Sequence, residues 1–135
     1  MSLEVAVIIG LDDQILFLQQ GSNAVHIPDS FDLWDYIWKN KDNIKGVAHS
    51  HPGTGRPQPS YEDLTTFSAV ELALGKRLNW WITSMTYLFK FVWIGPDKYD
   101  YLGEIVEKNP FWLSILKNRS YIIECETKSK VAVER

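Results

Sequence analysis

Apolar runs separated by polar, turn-forming segments divide the chain into short elements. Residues 4–9 begin with Glu4 and continue as an unbroken apolar run rich in Val and Ile. Such a run is typical of a strand covered on both faces. The pair Asp12-Asp13 indicates a turn, and Ile15 to Leu18 resumes the apolar pattern. Two neighbouring strands are therefore predicted in this part of the chain.

Apolar side chains at helical spacing predict two helices further along. Pro28-Asp29-Ser30 introduces the first, with Asp29 or Ser30 as its cap. One face of this helix carries Phe31, Trp34, Ile37 and Trp38. The second helix begins near Ser60 and ends at Gly75, and its apolar residues are Leu64, Phe67, Val70, Leu72 and Leu74. Between the helices, residues 46–49 are predicted to form a strand.

The second half of the chain is predicted to be mostly strands. Residues 80–83 and 87–94 are predicted strands, residues 95–97 a turn and residues 111–116 a short helix. A closing strand is expected near residues 121–125, and the polar tail 127–135 is either an edge strand or disordered. Because Trp80 and Trp81 alternate on a strand, one of them is expected to face outward as a contact for a partner protein. This order of elements predicts one two-layer or three-layer α/β domain over residues 1–135.

Composition narrows the function classes. A chain of 135 residues is long enough for one hydrophobic core. Its net charge of −3 argues against a nucleic-acid binder, so protein partners are expected. No apolar run long enough for a membrane span and no signal-peptide pattern is present, which predicts a cytoplasmic protein. Cys125 has no second cysteine to pair with and is expected to be a buried structural thiol.

The segment from His49 to Asp63 predicts a metal site. In a strand His49 and His51 project from the same side, so they can present two ring nitrogens to one ion, and Asp63 can supply a third ligand. Two histidines and a carboxylate leave the fourth tetrahedral position of zinc open, as in catalytic zinc sites. Taken singly, the residues have a structural explanation, since Ser60 and Asp63 at a helix start approximate a capping box.

The order His-x-His-Pro, a Gly/Pro-rich loop and Ser-x-x-Asp resembles the JAMM motif of the MPN-type (JAB) metallo-isopeptidases, which also places a Glu at the start of an apolar strand, as Glu4 does here. Eight residues separate His51 from Ser60, one more than is usual in that family, and turn formers in this loop can absorb the insertion. The resemblance implies an MPN domain with a cytidine-deaminase-like fold, in which a mixed sheet is flanked by helices.

The same resemblance implies a mechanism. His49, His51 and Asp63 would hold zinc, Glu4 would be the general base toward a zinc-activated water, and Ser60 would donate a hydrogen bond to the oxyanion. The implied reaction is hydrolysis of an amide at the C-terminal tail of a ubiquitin-like or sulfur-carrier protein.

The sequence leaves two alternative functions open. A phage-tail or cell-wall peptidase fits the same motif, and a non-catalytic MPN scaffold shares the fold but lacks one or more of the ligands. A zinc-dependent nucleoside deaminase is excluded, because its Pro-Cys-x-x-Cys ligand pair needs two cysteines and the chain has one. The sequence leaves the oligomeric state open.

Overall fold

The computed structural model describes residues 4–21 and 31–121 of the protein, and the structural statements below refer to these residues. Their elements, in chain order, are β1 (Val5–Gly10), β2 (Ile15–Gln20), α1 (Phe31–Lys39), a 3₁₀ turn (Lys41–Asn43), β3 (Ile44–Ser50), α2 (Tyr61–Leu74), β4 (Asn79–Thr83), β5 (Leu88–Trp93), β6 (Tyr101–Ile105) and α3 (Trp112–Ser120). None of the helices in these two ranges is long and apolar enough to cross a membrane.

The six strands form one mixed sheet in the order β2-β1-β3-β4-β5-β6. Neighbouring strands are antiparallel except β3 and β4, which are parallel and are joined by α2 as a crossover. The predicted α/β class, with a mixed sheet flanked by helices, is confirmed.

Helices cover both faces of the sheet. On one face, Leu33 of α1 and Phe67 of α2 pack in a cluster with Ile8. On the other face, Trp112 and Leu116 of α3 pack in a second cluster with alternate residues of β1. All six residues of β1 are therefore buried, as its unbroken apolar sequence predicts.

Several predictions for the second half of the chain need correction. Neither Trp80 nor Trp81 faces outward: they are 0% and 6% exposed. Helix α3 covers the face of the sheet that carries Trp81, and the Trp112 ring packs edge-on against Trp81 at 5.3 Å. Strand β6 was not predicted, and α3 continues past residue 116 to Ser120. Tyr121 follows α3 directly, while the rest of the predicted closing strand, the tail 127–135, Cys125 and the predicted cap of α1 lie outside the described residues.

A buried carboxylate joins α2 to two strands. Glu71, 2% exposed, accepts hydrogen bonds from the Leu78 amide at 2.8 Å and the Trp80 indole at 3.0 Å. It also accepts from the Tyr101 hydroxyl and pairs with Arg77 at 3.0 Å. A carboxylate this deep is tolerated because donors surround it. Glu71 thus fixes the C-terminal half of α2 against β4 and β6.

Replacing Glu71 by Ala is expected to lower the free energy of unfolding by about 2–5 kcal/mol, because buried donors on Leu78 and Trp80 lose their acceptor. Urea denaturation measures this effect. Glu107→Ala, at an exposed acid, is the control and should change stability by less than about 0.5 kcal/mol. Equal stability of the two variants would contradict this role for Glu71.

Candidate metal centre

Four polar side chains from three parts of the fold meet at one end of the sheet. Glu4 lies directly before β1, His49 and His51 lie at the end of β3, and Asp63 lies in the first turn of α2. Each offers one ligand atom, and these atoms all lie within 4.8 Å of one another. The structure thus brings together the three residues named as ligands and the one named as general base.

The sheet register explains why these residues meet. Ala6 of β1 lies opposite His49 of the antiparallel β3, so the chain at Glu4 runs alongside the end of β3 that leads to His51. After an exposed loop, α2 returns over the same face, where the Phe67 ring packs edge-on to His49 at 6.3 Å. The additional loop residue therefore does not separate Asp63 from the histidines.

Three of the ligand atoms form a nearly equilateral triangle. His51 Nε2 lies 3.2 Å from His49 Nε2 and 3.1 Å from Asp63 Oδ2. The third side, between His49 Nε2 and Asp63 Oδ2, is 3.5 Å. Glu4 Oε1 stands beside the triangle, 3.8 Å from His49 Nε2.

The site is buried except on one side. The side chains of Glu4, His49 and Asp63 are at most 1% exposed, whereas that of His51 is 15% exposed. Water, a metal ion or a substrate would therefore reach the site on the side of His51. Among the described residues, both carboxylate oxygens of Glu4, Asp63 Oδ1 and His49 Nδ1 are buried without a hydrogen-bond partner. Buried polar atoms without partners are uncommon in folded proteins, and a bound ion or water is the ordinary explanation for such a group.

The environment sets two protonation states that suit metal binding. Burial lowers the pKa of His49 against the opposing effect of its hydrogen bond with Asp63, which favours the neutral, ligating ring. Burial alone would raise the pKa of Asp63, but hydrogen bonds with His49 and His51 outweigh it and hold that pKa below its usual range. Asp63 is therefore ionised at neutral pH.

Glu4 differs from Asp63 because both effects on its carboxyl group act in the same direction. Burial, reinforced by the negative charge of Asp63, raises the pKa of Glu4 to about 9. Without a metal its carboxyl group is neutral at pH 7. A nearby divalent cation would lower this pKa again and make Glu4 a base.

Ser60 and Asp63 also form the capping box that their spacing predicts. Asp63 N donates to Ser60 Oγ at 3.0 Å, and Ser60 N donates to Asp63 Oδ2 at 3.0 Å. This bonding orients Asp63 and does not remove it from the histidines, because Oδ2 also contacts His51. The structural and the metal-site interpretations of Ser60 and Asp63 are therefore compatible.

Other residues around the site were not named from the sequence. Ser50, between the two histidines, faces the opposite side of the sheet and accepts a hydrogen bond from Val5 N at 3.0 Å. The backbone of His51 is held by a bond from its N–H to Thr83 O at 2.8 Å. Alternation alone could have assigned Ser50 to the far face, but these partners depend on the fold.

Arg56, in the loop between His51 and Ser60, is not among the converging residues. Its side chain is exposed, and its guanidinium lies 5.5 Å from the centre of the Phe89 ring. Arg56 is therefore a solvated loop residue that contributes no atom to the cluster.

Comparison of the chain with known protein families and with curated proteins finds no match for it. The geometry of the site is therefore what bears on function. That geometry provides a buried Glu, His, His and Asp group that could hold a metal ion.

Proposed function

We propose that the protein is a zinc-dependent hydrolase of amide bonds with an MPN-type fold, acting at the C-terminal tail of a ubiquitin-like or sulfur-carrier protein. The observation that carries the proposal is the convergence of Glu4, His49, His51 and Asp63 within 4.8 Å. The MPN-type fold and the substrate class come from the resemblance of these residues and Ser60 to the JAMM motif.

The spacing of the ligand atoms supports zinc. Ligands about 2.0–2.1 Å from a tetrahedral zinc ion lie about 3.3–3.4 Å from one another. The corresponding distances among His49 Nε2, His51 Nε2 and Asp63 Oδ2 are 3.1–3.5 Å. Two nitrogens and one carboxylate oxygen also form a donor set that zinc accepts, with one position left for catalysis.

Each residue has a distinct role in this chemistry. When bound, zinc would supply positive charge that polarises the scissile carbonyl and makes water a better nucleophile. Glu4 would accept the proton of the attacking water and then deliver it to the leaving nitrogen. Glu4 Oε1 lies 3.8 Å from His49 Nε2, farther than the three ligand atoms lie from one another. This separation supports Glu4 as the base rather than as a further ligand.

Ser60, the N-cap of α2, would donate a hydrogen bond to the oxyanion. Its Oγ accepts from Asp63 N, so its own proton remains available to a developing oxyanion. Such a donor is worth on the order of 3 kcal/mol in the transition state. The partial positive charge of the helix N-terminus acts in the same direction.

The test is cleavage of fusions in which a ubiquitin-like or sulfur-carrier protein is joined through its C-terminus to a reporter. We expect cleavage by zinc-loaded protein and none after chelation, with restoration on adding zinc back. Peptides from cell walls form a parallel set of substrates and test the alternative peptidase. If zinc is bound but neither set is cleaved, the hydrolase proposal is wrong. Failure to bind zinc would favour the non-catalytic scaffold.

A further inference from the structure

The end of α3 is bonded to the segment that carries the two histidines of the candidate metal centre. Ser120 Oγ donates to Ser50 Oγ at 2.7 Å, and the Tyr121 hydroxyl donates to the His51 carbonyl oxygen at 2.7 Å. Both bonds link residues 70 positions apart in sequence. We call Ser50, Ser120 and Tyr121 the α3 clamp.

The α3 clamp is also bonded to the residue that follows Glu4. Ser50 Oγ also accepts from Val5 N, and Val5 follows Glu4 directly. A hydroxyl oxygen has two acceptor positions, so Ser50 can take both the Val5 and the Ser120 bonds. One buried oxygen on β3 therefore joins the start of β1 to the end of α3.

Burial makes these bonds sensitive to substitution. Ser50, Ser120 and Tyr121 are 1%, 2% and 5% exposed. Water does not replace a lost partner freely at such positions, so removing one hydroxyl alters the geometry of the others. Ser50 and α3 lie on the face of the sheet opposite the candidate ligands.

We propose that Ser120 and Tyr121 are positioning residues that hold His51 and Glu4 in the geometry needed at the metal centre. Tyr121 acts through the backbone of His51, and Ser120 acts through Ser50 on the backbone beside Glu4. The inference rests on the proposed function only in taking the centre to bind a metal ion. Groups that orient ligands in this way commonly contribute about 10–100-fold to metal affinity.

The first test measures metal binding in Ser120→Ala and Tyr121→Phe. Each variant is expected to bind zinc about 10–100-fold more weakly, measured by competition with a chromophoric chelator. The visible spectrum of bound Co²⁺, which reports coordination geometry, should change in Tyr121→Phe. Ser114→Ala, an exposed serine on α3, and Tyr36→Phe on α1 are matched controls that should leave both readouts unchanged. Zinc affinities within twofold of the unsubstituted protein, with an unchanged Co²⁺ spectrum, would overturn the proposal.

The second test needs no metal and separates this inference from the proposed function. Amide hydrogen exchange at Val5 in the metal-free protein should be about two- to tenfold faster in Ser120→Ala, because Ser50 loses the bond that orients its oxygen. The Trp81 amide in the middle of the sheet is the internal reference. Unchanged exchange at Val5 would overturn the clamp even in a protein that binds zinc and cleaves amides. Faster exchange in a protein that cleaves nothing would support the clamp while the hydrolase proposal fails.

Discussion

Glu4→Gln is expected to reduce amide hydrolysis by about 10²–10⁴-fold while the protein still binds one zinc ion per chain, because a carboxamide cannot accept the proton of the attacking water. The structure favours this substitution as a clean test. Burial and Asp63 raise the pKa of Glu4 to about 9, so in the metal-free fold the group is a neutral carboxyl that Gln resembles in shape and charge. The variant should therefore fold.

Steady-state cleavage and zinc content are measured on the same Glu4→Gln sample. Glu107→Gln, at an exposed acid, is the matched control and should match the unsubstituted protein in both. If Glu4→Gln retains more than about a tenth of the activity, Glu4 is not the general base. Loss of zinc together with activity would make Glu4 a ligand instead.

Zinc is expected to raise the thermal stability of the protein, and Asp63→Asn should remove most of that gain. At a free zinc concentration about 1,000 times its Kd, binding adds about 4 kcal/mol, which corresponds to roughly 10–15 °C in Tm for a domain of this size. Substituting a residue that only orients a metal ligand lowers metal affinity by up to about 100-fold. Losing a direct ligand should lower zinc affinity by at least that factor. The stabilisation would then fall by about 2.7 kcal/mol or more.

Asn at position 63 can still accept the hydrogen bond from Ser60 N, so the capping box of α2 is largely preserved. Asp32→Asn is the matched control, since Asp32 is an exposed acid in the first turn of α1. Scanning calorimetry with and without zinc should show the full shift for Asp32→Asn and less than half of it for Asp63→Asn. Equal shifts in the two variants would exclude Asp63 as a ligand.

The candidate site could be predicted to a large extent because its signal is local. His49 and His51 share a face by strand alternation, and Asp63 lies on the helix that follows them. Glu4 is different, since its place beside the histidines depends on the register between β1 and β3. From the sequence alone, Glu4 is identified only by the resemblance of the chain to the JAMM motif.

Helix α2 shows where the apolar pattern fails. It buries Asp63 and Glu71 while Leu72 is 82% exposed, so its apolar residues do not define the buried face. The donors that make Glu71 tolerable come from β4, β6 and the segment before β4, and a local pattern cannot reveal them. Burial of acids on a helix follows from tertiary partners.

Strand β6 was missed, and the prediction for the Trp80-Trp81 pair was wrong. β6 contains Gly103, which weakens a strand pattern, yet the Phe91 ring lies where a side chain at 103 would be, so the glycine is what allows this packing. One of Trp80 and Trp81 was expected at the surface because strand alternation places them on opposite faces, but helices cover both faces of the sheet. Which face a helix covers is a tertiary property that strand alternation leaves open.

The most direct measurement is anomalous diffraction at the zinc absorption edge from crystals of the zinc-loaded protein. We expect one strong peak about 2.0–2.1 Å from His49 Nε2, His51 Nε2 and an oxygen of Asp63, with Glu4 alongside. A zinc-loaded protein with no peak among these side chains, or with its zinc bound elsewhere, would contradict the account.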